Sequence, residues 1–404
     1  MRTKIKKHGD TTFLISFYMY LFFTFTYYLR VLSVYYQMAF IGICYLLLFI
    51  ATYNKNGQKY AFGFIGVTIV MLVFNFLFLY LQNNISTHGI TTLIGVNFKL
   101  FYSTFPILFI YSRCLDNCDK EFLKKIIIVL TVFTCITTIL GTYNYPSPSR
   151  YLAAMKDATT TNLYLSKNIG GYAFIYYLLL MIPVILYELS RKKSLLYIVI
   201  LLIMLFCIIR SEYAIALLLS FVAVLIGLIF IFKNNYLRIA AGCMSVFVLT
   251  KFEEILIWSL NYFRNISYEL YFRTDTMGGD LLGRTKVFMV SIENFINYPI
   301  FGSMFRYKEY VGEHSEFLDY LGHSGIFGLI ILVFIIRAII KRMKKSGLEN
   351  NRFNILLIGL AIMLSVVNTF NASELFFVIT IVPILFFSVP KDINKNVDYK
   401  INQK

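Results

Sequence analysis

Apolar residues in this chain run in long, unbroken stretches separated by short polar links. Runs near twenty residues recur along its whole length, enough to cross about 30 Å of hydrocarbon as an α-helix. The runs are continuous rather than alternating, which favours helices over the strands of a barrel. This periodicity predicts an all-α, polytopic membrane protein of about twelve spans, at 12–31, 34–53, 60–81, 91–111, 122–142, 169–188, 195–210, 213–232, 237–251, 317–336, 354–371 and 373–389. The ninth is short, with apolar character continuing past its end. No internal repeat or separate soluble domain interrupts the series, so residues 1–404 read as a single integral membrane domain.

Two links are long, at about 143–168 and about 252–316, the second just before the tenth span. The second holds thirteen Phe or Tyr and Trp258, the only Trp, and its acidic residues outnumber its Lys and Arg. Loops of this length inside a compact fold are usually functional. Within it Val287, Phe288, Ser291, Ile292 and Phe295 fall at helical spacing. That spacing predicts a short amphipathic helix over 284–295, lying on the membrane surface. Aromatic rings beside polar groups suit the faces of sugars, and interfacial anchoring explains them equally well.

Composition agrees with this reading. The chain is 58% hydrophobic and 15% charged, where a soluble domain has roughly 25% charged residues, too few here to build a water-facing surface. Arg2, Lys4, Lys6 and Lys7 precede an apolar stretch from Phe13 to Leu29. This stretch is too long for a signal peptide and lacks a small-residue cleavage site, so it reads as an uncleaved first span.

The net charge of +17 sits mostly in the short links. With the N-terminus inside, 25 Lys and Arg fall on inner segments and 12 on outer ones. Both termini are therefore expected in the cytoplasm and both long loops outside. The basic residues form no nucleic-acid motif, so no nucleic-acid partner is expected. Cys44, Cys135, Cys207 and Cys243 lie in apolar runs, and Cys114 and Cys118 share one link. No disulfide framework follows, and no second Cys or His pair completes a zinc site. Neither a metal nor a cofactor is expected.

Ionisable groups at membrane depth are costly and are candidates for function. Lys99 lies in the middle of the fourth span, between Phe98 and Phe101, and needs a polar cavity or a partner. Arg210 ends the seventh span on the outer side, either snorkelling to water beside Glu212 or serving a site. Glu188 and Arg191 lie near the inner boundary and are expected to be solvated. In the outer loop Gly283 and Arg284 precede the amphipathic piece, Pro299 and Gly302 break it, and Glu313-His314-Ser315 leads into the tenth span. Phe317, Leu318 and Leu321 continue from His314 at helical spacing, which predicts His314 near a helix start. There it is either a solvated or capping residue, or an imidazole kept neutral by the positive helix end, as a general base requires.

Together these residues resemble a family signature. Leu282-Gly283-Arg284, then Asn297-Tyr298-Pro299-Ile300-Phe301-Gly302, then His314-Ser315-Glu316-Phe317-Leu318, then Gly325-Ile326-Phe327-Gly328 look like the motifs of the O-antigen polymerase and ligase superfamily. That family has a Gly-Arg pair, an Asn-Pro-hydrophobic-x-Gly turn, and a His before an apolar helix. Ile209-Arg210-Ser211 resembles its Ser-Arg pair ending an earlier span. The chain departs from the pattern at Ile209, where a small hydroxyl residue is usual, and at Ser315, where Asn is frequent.

The resemblance implies metal-independent, inverting glycosyl transfer from an undecaprenyl diphosphate carrier to a sugar hydroxyl, on the outer face of the cytoplasmic membrane. Arg210 and Arg284 would bind the diphosphate, whose oxygens match guanidinium forks and whose charge grows as the bond breaks. His314 would accept the proton of the attacking hydroxyl. Glu313, Glu316 and Asp319 would contact sugar or orient the imidazole, and Lys99 would line the cavity. The implied partners are undecaprenyl-diphosphate-linked oligosaccharides and the lipid bilayer, with a flippase and a chain-length regulator beside them. Ligase-type transfer to another acceptor and transport of the lipid-linked sugar are the alternatives.

Overall fold

The computed structural model describes residues 15, 18–19, 21–22, 26–51, 117–143, 165–211, 213–232, 235–251, 288–305, 315–345, 351–367 and 382–387. Among these the chain is all-helical, without a strand. The helices are α1 (Val34–Ala51), α2 (Asn117–Tyr143), α3 (Tyr172–Lys192), α4 (Leu195–Ser211), α5 (Ala214–Ile231) and α6 (Asn235–Thr250). After them come α7 (288–297), α8 (Glu316–Lys345), α9 (Arg352–Val367) and the short α10 (Val382–Phe386). The spans expected at 60–81 and 91–111, and with them Lys99, lie outside the described residues.

Two helical segments, Glu121–Tyr143 and Tyr172–Lys192, are long and apolar enough to cross a membrane, and Leu195–Ser211, Ile215–Ile231 and Arg352–Val366 are shorter apolar helices. The helix α3 is the centre of the array. From Phe174 to Leu186 it is buried on every side, as a helix with no polar face must be. It packs against α4, α5 and α9, while α2 lies against α4 and α10. Pro183 lies inside α3 and brings no N–H, leaving the carbonyl one turn before it without its helical donor.

The turn from α3 to α4 is set by two residues. Lys193 takes a left-handed conformation (φ +46°) and its N–H returns to the Leu189 carbonyl at 2.9 Å. Ser194 then opens α4, its carbonyl accepting from Tyr197 N–H at 3.1 Å. So short a link forces the two helices to run antiparallel. On α4, Tyr197, Ile200, Leu201, Met204, Cys207 and Ile208 face the core, whereas Leu196, Val199, Leu202 and Phe206 are exposed. A wholly apolar exposed face suits hydrocarbon rather than water.

One expectation is overturned near the C-terminal end of α3. Glu188 is not solvated; it is fully buried. It lies one turn before the end of α3, just past the fully buried stretch, and the Lys124 side chain of α2 reaches it there. Its carboxylate lies 2.9 Å from Lys192 Nζ and 3.8 Å from Lys124 Nζ, although neither oxygen has an aligned hydrogen-bond donor. Lys124 is itself buried and donates to Glu121 at 2.8 Å, and Lys192 donates to the Tyr197 hydroxyl at 3.0 Å. Two ammonium groups and two carboxylates thus tie α2, α3 and α4 together within the apolar array. Arg191, by contrast, is exposed, with its guanidinium 5.7 Å from the Tyr187 ring centroid.

Candidate functional site

Two of the sequence motifs, Asn297–Gly302 and Gly325–Gly328, come together in a single unit, built by α7, the turn that follows it and the first half of α8. Helix α7 ends as expected before Pro299. The Tyr298 N–H closes the last helical bond to Asn294 at 3.0 Å, and Gly302 N–H returns to the Tyr298 carbonyl at 2.8 Å. Gly302 has φ +60° and leads into a 3-10 turn, Gly302–Phe305. This turn packs against α8.

Helix α8 is kinked at Gly325, where φ is +58° and ψ is −153°, a conformation essentially confined to glycine. The kink frees two backbone donors, and the Pro299 turn supplies their acceptors. Ile326 N–H reaches the Pro299 carbonyl at 2.8 Å, and Phe327 N–H reaches the Ile300 carbonyl at 3.0 Å. The Phe301 and Phe327 rings lie beside the joint, 5.5 Å between centroids. Asn297–Gly302 and Gly325–Gly328, distant in sequence, are therefore two halves of one backbone contact. Gly322 is the second close approach, since a Cβ there would collide with the Ser291 carbonyl of α7.

A Cβ at Gly325 would stand 2.6 Å from the Pro299 oxygen and 2.7 Å from Gly302 N, neither of which can move without breaking the turn. Gly325→Ala is therefore expected to destabilise the protein by at least about 1–3 kcal/mol, the usual size of such backbone strain. At Gly359 on α9, where a Cβ would meet nothing within 4 Å, Ala should be neutral or stabilising by up to about 1 kcal/mol. Thermal unfolding of the two variants in the same detergent checks the contrast.

The face of α7 turned toward α8 is more polar than its sequence spacing implies. Ser291 and Asn294 are buried, whereas Met289, Val290 and Ile296 are exposed and Phe288, Ile292 and Phe295 are half-buried. The reason is Asp319. Its Oδ1 accepts the Ser291 hydroxyl at 2.6 Å and its Oδ2 accepts the Ser315 N–H at 3.2 Å. Ser315 caps α8 in turn, its hydroxyl accepting from Leu318 N–H at 3.3 Å. Both carboxylate oxygens of Asp319 are thus engaged within the protein, one on each helix of the unit.

Arg210 occupies a different junction. At the end of α4 its Nη2 donates to the Thr142 carbonyl at 3.0 Å, where the unpaired carbonyls ending α2 favour a cation. This junction is lined by hydroxyls that the hydrophobic pattern conceals, because Thr134, Thr138 and Thr142 recur on one face of α2 and are buried. Asn168, buried at φ +52°, joins them to the chain before α3. Its Oδ1 accepts Tyr27 N–H at 2.6 Å, its Nδ2 donates to Thr137 at 2.9 Å, and Gly170 N–H donates to Thr138 at 2.7 Å. The threonines at intervals of four are the one sequence signal that marks this junction.

Of the candidate residues for diphosphate, proton and sugar, Arg210 and Asp319 are described with their side chains. They belong to separate contacts, Arg210 with α2 and Asp319 with α7. Glu316 is described as the first residue of α8 by its backbone alone. Lys99, Arg284, Glu313 and His314 lie outside the described residues. No family model, no curated protein and no solved structure matches the chain.

Proposed function

We propose that this protein is a membrane polymerase of undecaprenyl-diphosphate-linked oligosaccharides, extending a surface polysaccharide such as capsule, O-antigen or exopolysaccharide. On this reading it is a multi-pass protein of the cytoplasmic membrane with both termini inside, and it works on the outer face without a metal. Arg210 and Arg284 hold the diphosphate leaving group, and His314 takes the proton from the attacking sugar hydroxyl. The observation that carries the reading is the joint between Pro299-Ile300 and Ile326-Phe327. Two of the segments that resemble a glycan polymerase motif, Asn297–Gly302 and Gly325–Gly328, form one tightly built unit, and the His314-Ser315 step lies in the chain immediately before its second helix.

The exposed apolar faces of the helices add support, since they suit a chain that handles a lipid-borne substrate within the bilayer. Purified protein given lipid-linked repeat units should produce a ladder of products. A single transfer to a second acceptor would make it a ligase instead. Movement of the intact lipid across a vesicle bilayer, with no new glycosidic bond, would make it a flippase and end the polymerase reading.

A further inference from the structure

We infer that Asp319 is a positioning residue, which fixes the backbone that follows His314 against α7. The catalytic part of this inference rests on the polymerase reading; the structural part does not. Asp319 sits one helical turn into α8, and its two oxygens point to different elements. One accepts the Ser291 hydroxyl at 2.6 Å, so it reaches α7; the other accepts the Ser315 N–H at 3.2 Å, so it holds the backbone next to His314. These two bonds use about half of the acceptor sites of a carboxylate, and charge-assisted bonds of this kind are stronger than neutral ones. The Gly322 contact brings the α7 backbone close enough for this span, because any side chain at that position would push Ser291 away.

The consequence for transfer is geometric. Arg284 precedes α7 in the chain and His314 precedes α8, so the element after each is tied to the other through Asp319. On the polymerase reading, releasing that tie loosens α8 against α7 and so disturbs the catalytic set. Displacement of a reacting group by about 1 Å costs on the order of 10²-fold in rate. The loss falls on turnover rather than on donor affinity, because the diphosphate is held by other residues.

Asp319→Asn separates positioning from chemistry. The amide oxygen can accept the Ser315 N–H while the amide nitrogen donates to the Ser291 oxygen, so both ties survive with one reversed. Asp319→Ala loses both, and Ser291→Ala loses one. The test has two arms on the full-length protein in detergent. In the first, amide hydrogen exchange is followed in peptides covering 288–297 and 315–320. Exchange should rise in both for Asp319→Ala and stay near wild type for Asp319→Asn; unchanged exchange in Asp319→Ala overturns the inference, whatever the protein's activity.

In the second arm, polymer formation from lipid-linked repeats should lose about 10²-fold in kcat for Asp319→Ala with KM for donor little changed. Ser291→Ala should lose about tenfold or less, and Asp319→Asn should recover most of the rate. Loss of activity in Asp319→Asn as deep as in Asp319→Ala, with exchange at the wild-type level, would make the carboxylate a direct participant and overturn positioning. A wild-type protein that makes no polymer, while the exchange pattern appears as expected, would leave the tie established and remove the polymerase reading.

Discussion

His314→Ala is expected to bind lipid-linked donor almost normally and to transfer it roughly 10²–10⁴-fold more slowly, the usual size of general-base assistance. On the proposed mechanism the histidine meets only the acceptor proton, so removing it leaves the ground-state hold on the diphosphate in place. Arg284→Ala should behave differently. The diphosphate is charged before and during transfer, so both donor binding and the chemical step should weaken. Arg284→Lys should restore little, because an ammonium cannot reproduce a bidentate guanidinium contact.

Arg210→Ala carries a second effect, because Arg210 also donates to the Thr142 carbonyl at the end of α2. Losing a bond from a charged donor costs about 1.5–3 kcal/mol, so a fall in unfolding temperature should accompany any loss of activity. The pH dependence follows from the role. A base must be neutral, so activity should fall on acidification as the imidazole takes a proton. Donor binding and single-turnover rates, measured side by side, separate these outcomes. A His314→Ala protein that loses donor binding yet keeps its rate per complex would make His314 a ligand contact, and Glu313 or Glu316 the next candidates for the base.

The second large effect is structural. Glu188→Ala should destabilise the helix array by about 3–5 kcal/mol, the cost of breaking a buried ion pair by removing one partner. Glu188 is fully buried, and Lys124 beside it is nearly so. Without the carboxylate, Lys124 keeps Glu121 and the Phe386 ring, 5.7 Å away, which places the expected loss toward the lower end of that range. Lys192 is more exposed and can turn to water. Replacing Glu188 and Lys124 together by leucine should recover most of the loss, because a well-packed apolar pair removes the desolvation cost of both charges. Denaturant unfolding in detergent measures all three proteins. Wild-type stability in Glu188→Ala would show that the network contributes nothing.

The helices were legible in the sequence because their cause is local. A run of apolar residues without turn signals has one low-energy form wherever water is scarce, since every backbone group must be paired within the segment. Thus α4 begins at Leu195 and ends one residue past the expected limit, and α5 and α6 lie within two residues of theirs. The helix α8 runs on to Lys345, past the expected end at 336, because Arg337, Lys341, Arg342, Lys344 and Lys345 end the apolar signal without ending the helix. The end of α7 was legible too, since Pro299 cannot donate within a helix.

Partnership was not legible, because it depends on which faces meet. Helical spacing groups Ser291 with Val287, Phe288, Ile292 and Phe295, but not Asn294, which is buried too, and it does not show that Asp319 of α8 meets Ser291. Glu188 stands where a boundary residue would reach water, and only the arrival of Lys124 from α2 beside Lys192 of its own helix gives it buried partners. Gly325 reads in sequence as one of a pair of glycines in an apolar helix. That it is a kink whose freed N–H groups bind the Pro299 turn depends on bringing residues 299–300 to 326–327, and no local propensity contains that approach. The sequence by itself determined which segments are helical and apolar; the tertiary structure alone decided which polar groups meet between them, because a hydrogen bond or ion pair across helices is fixed by their mutual placement.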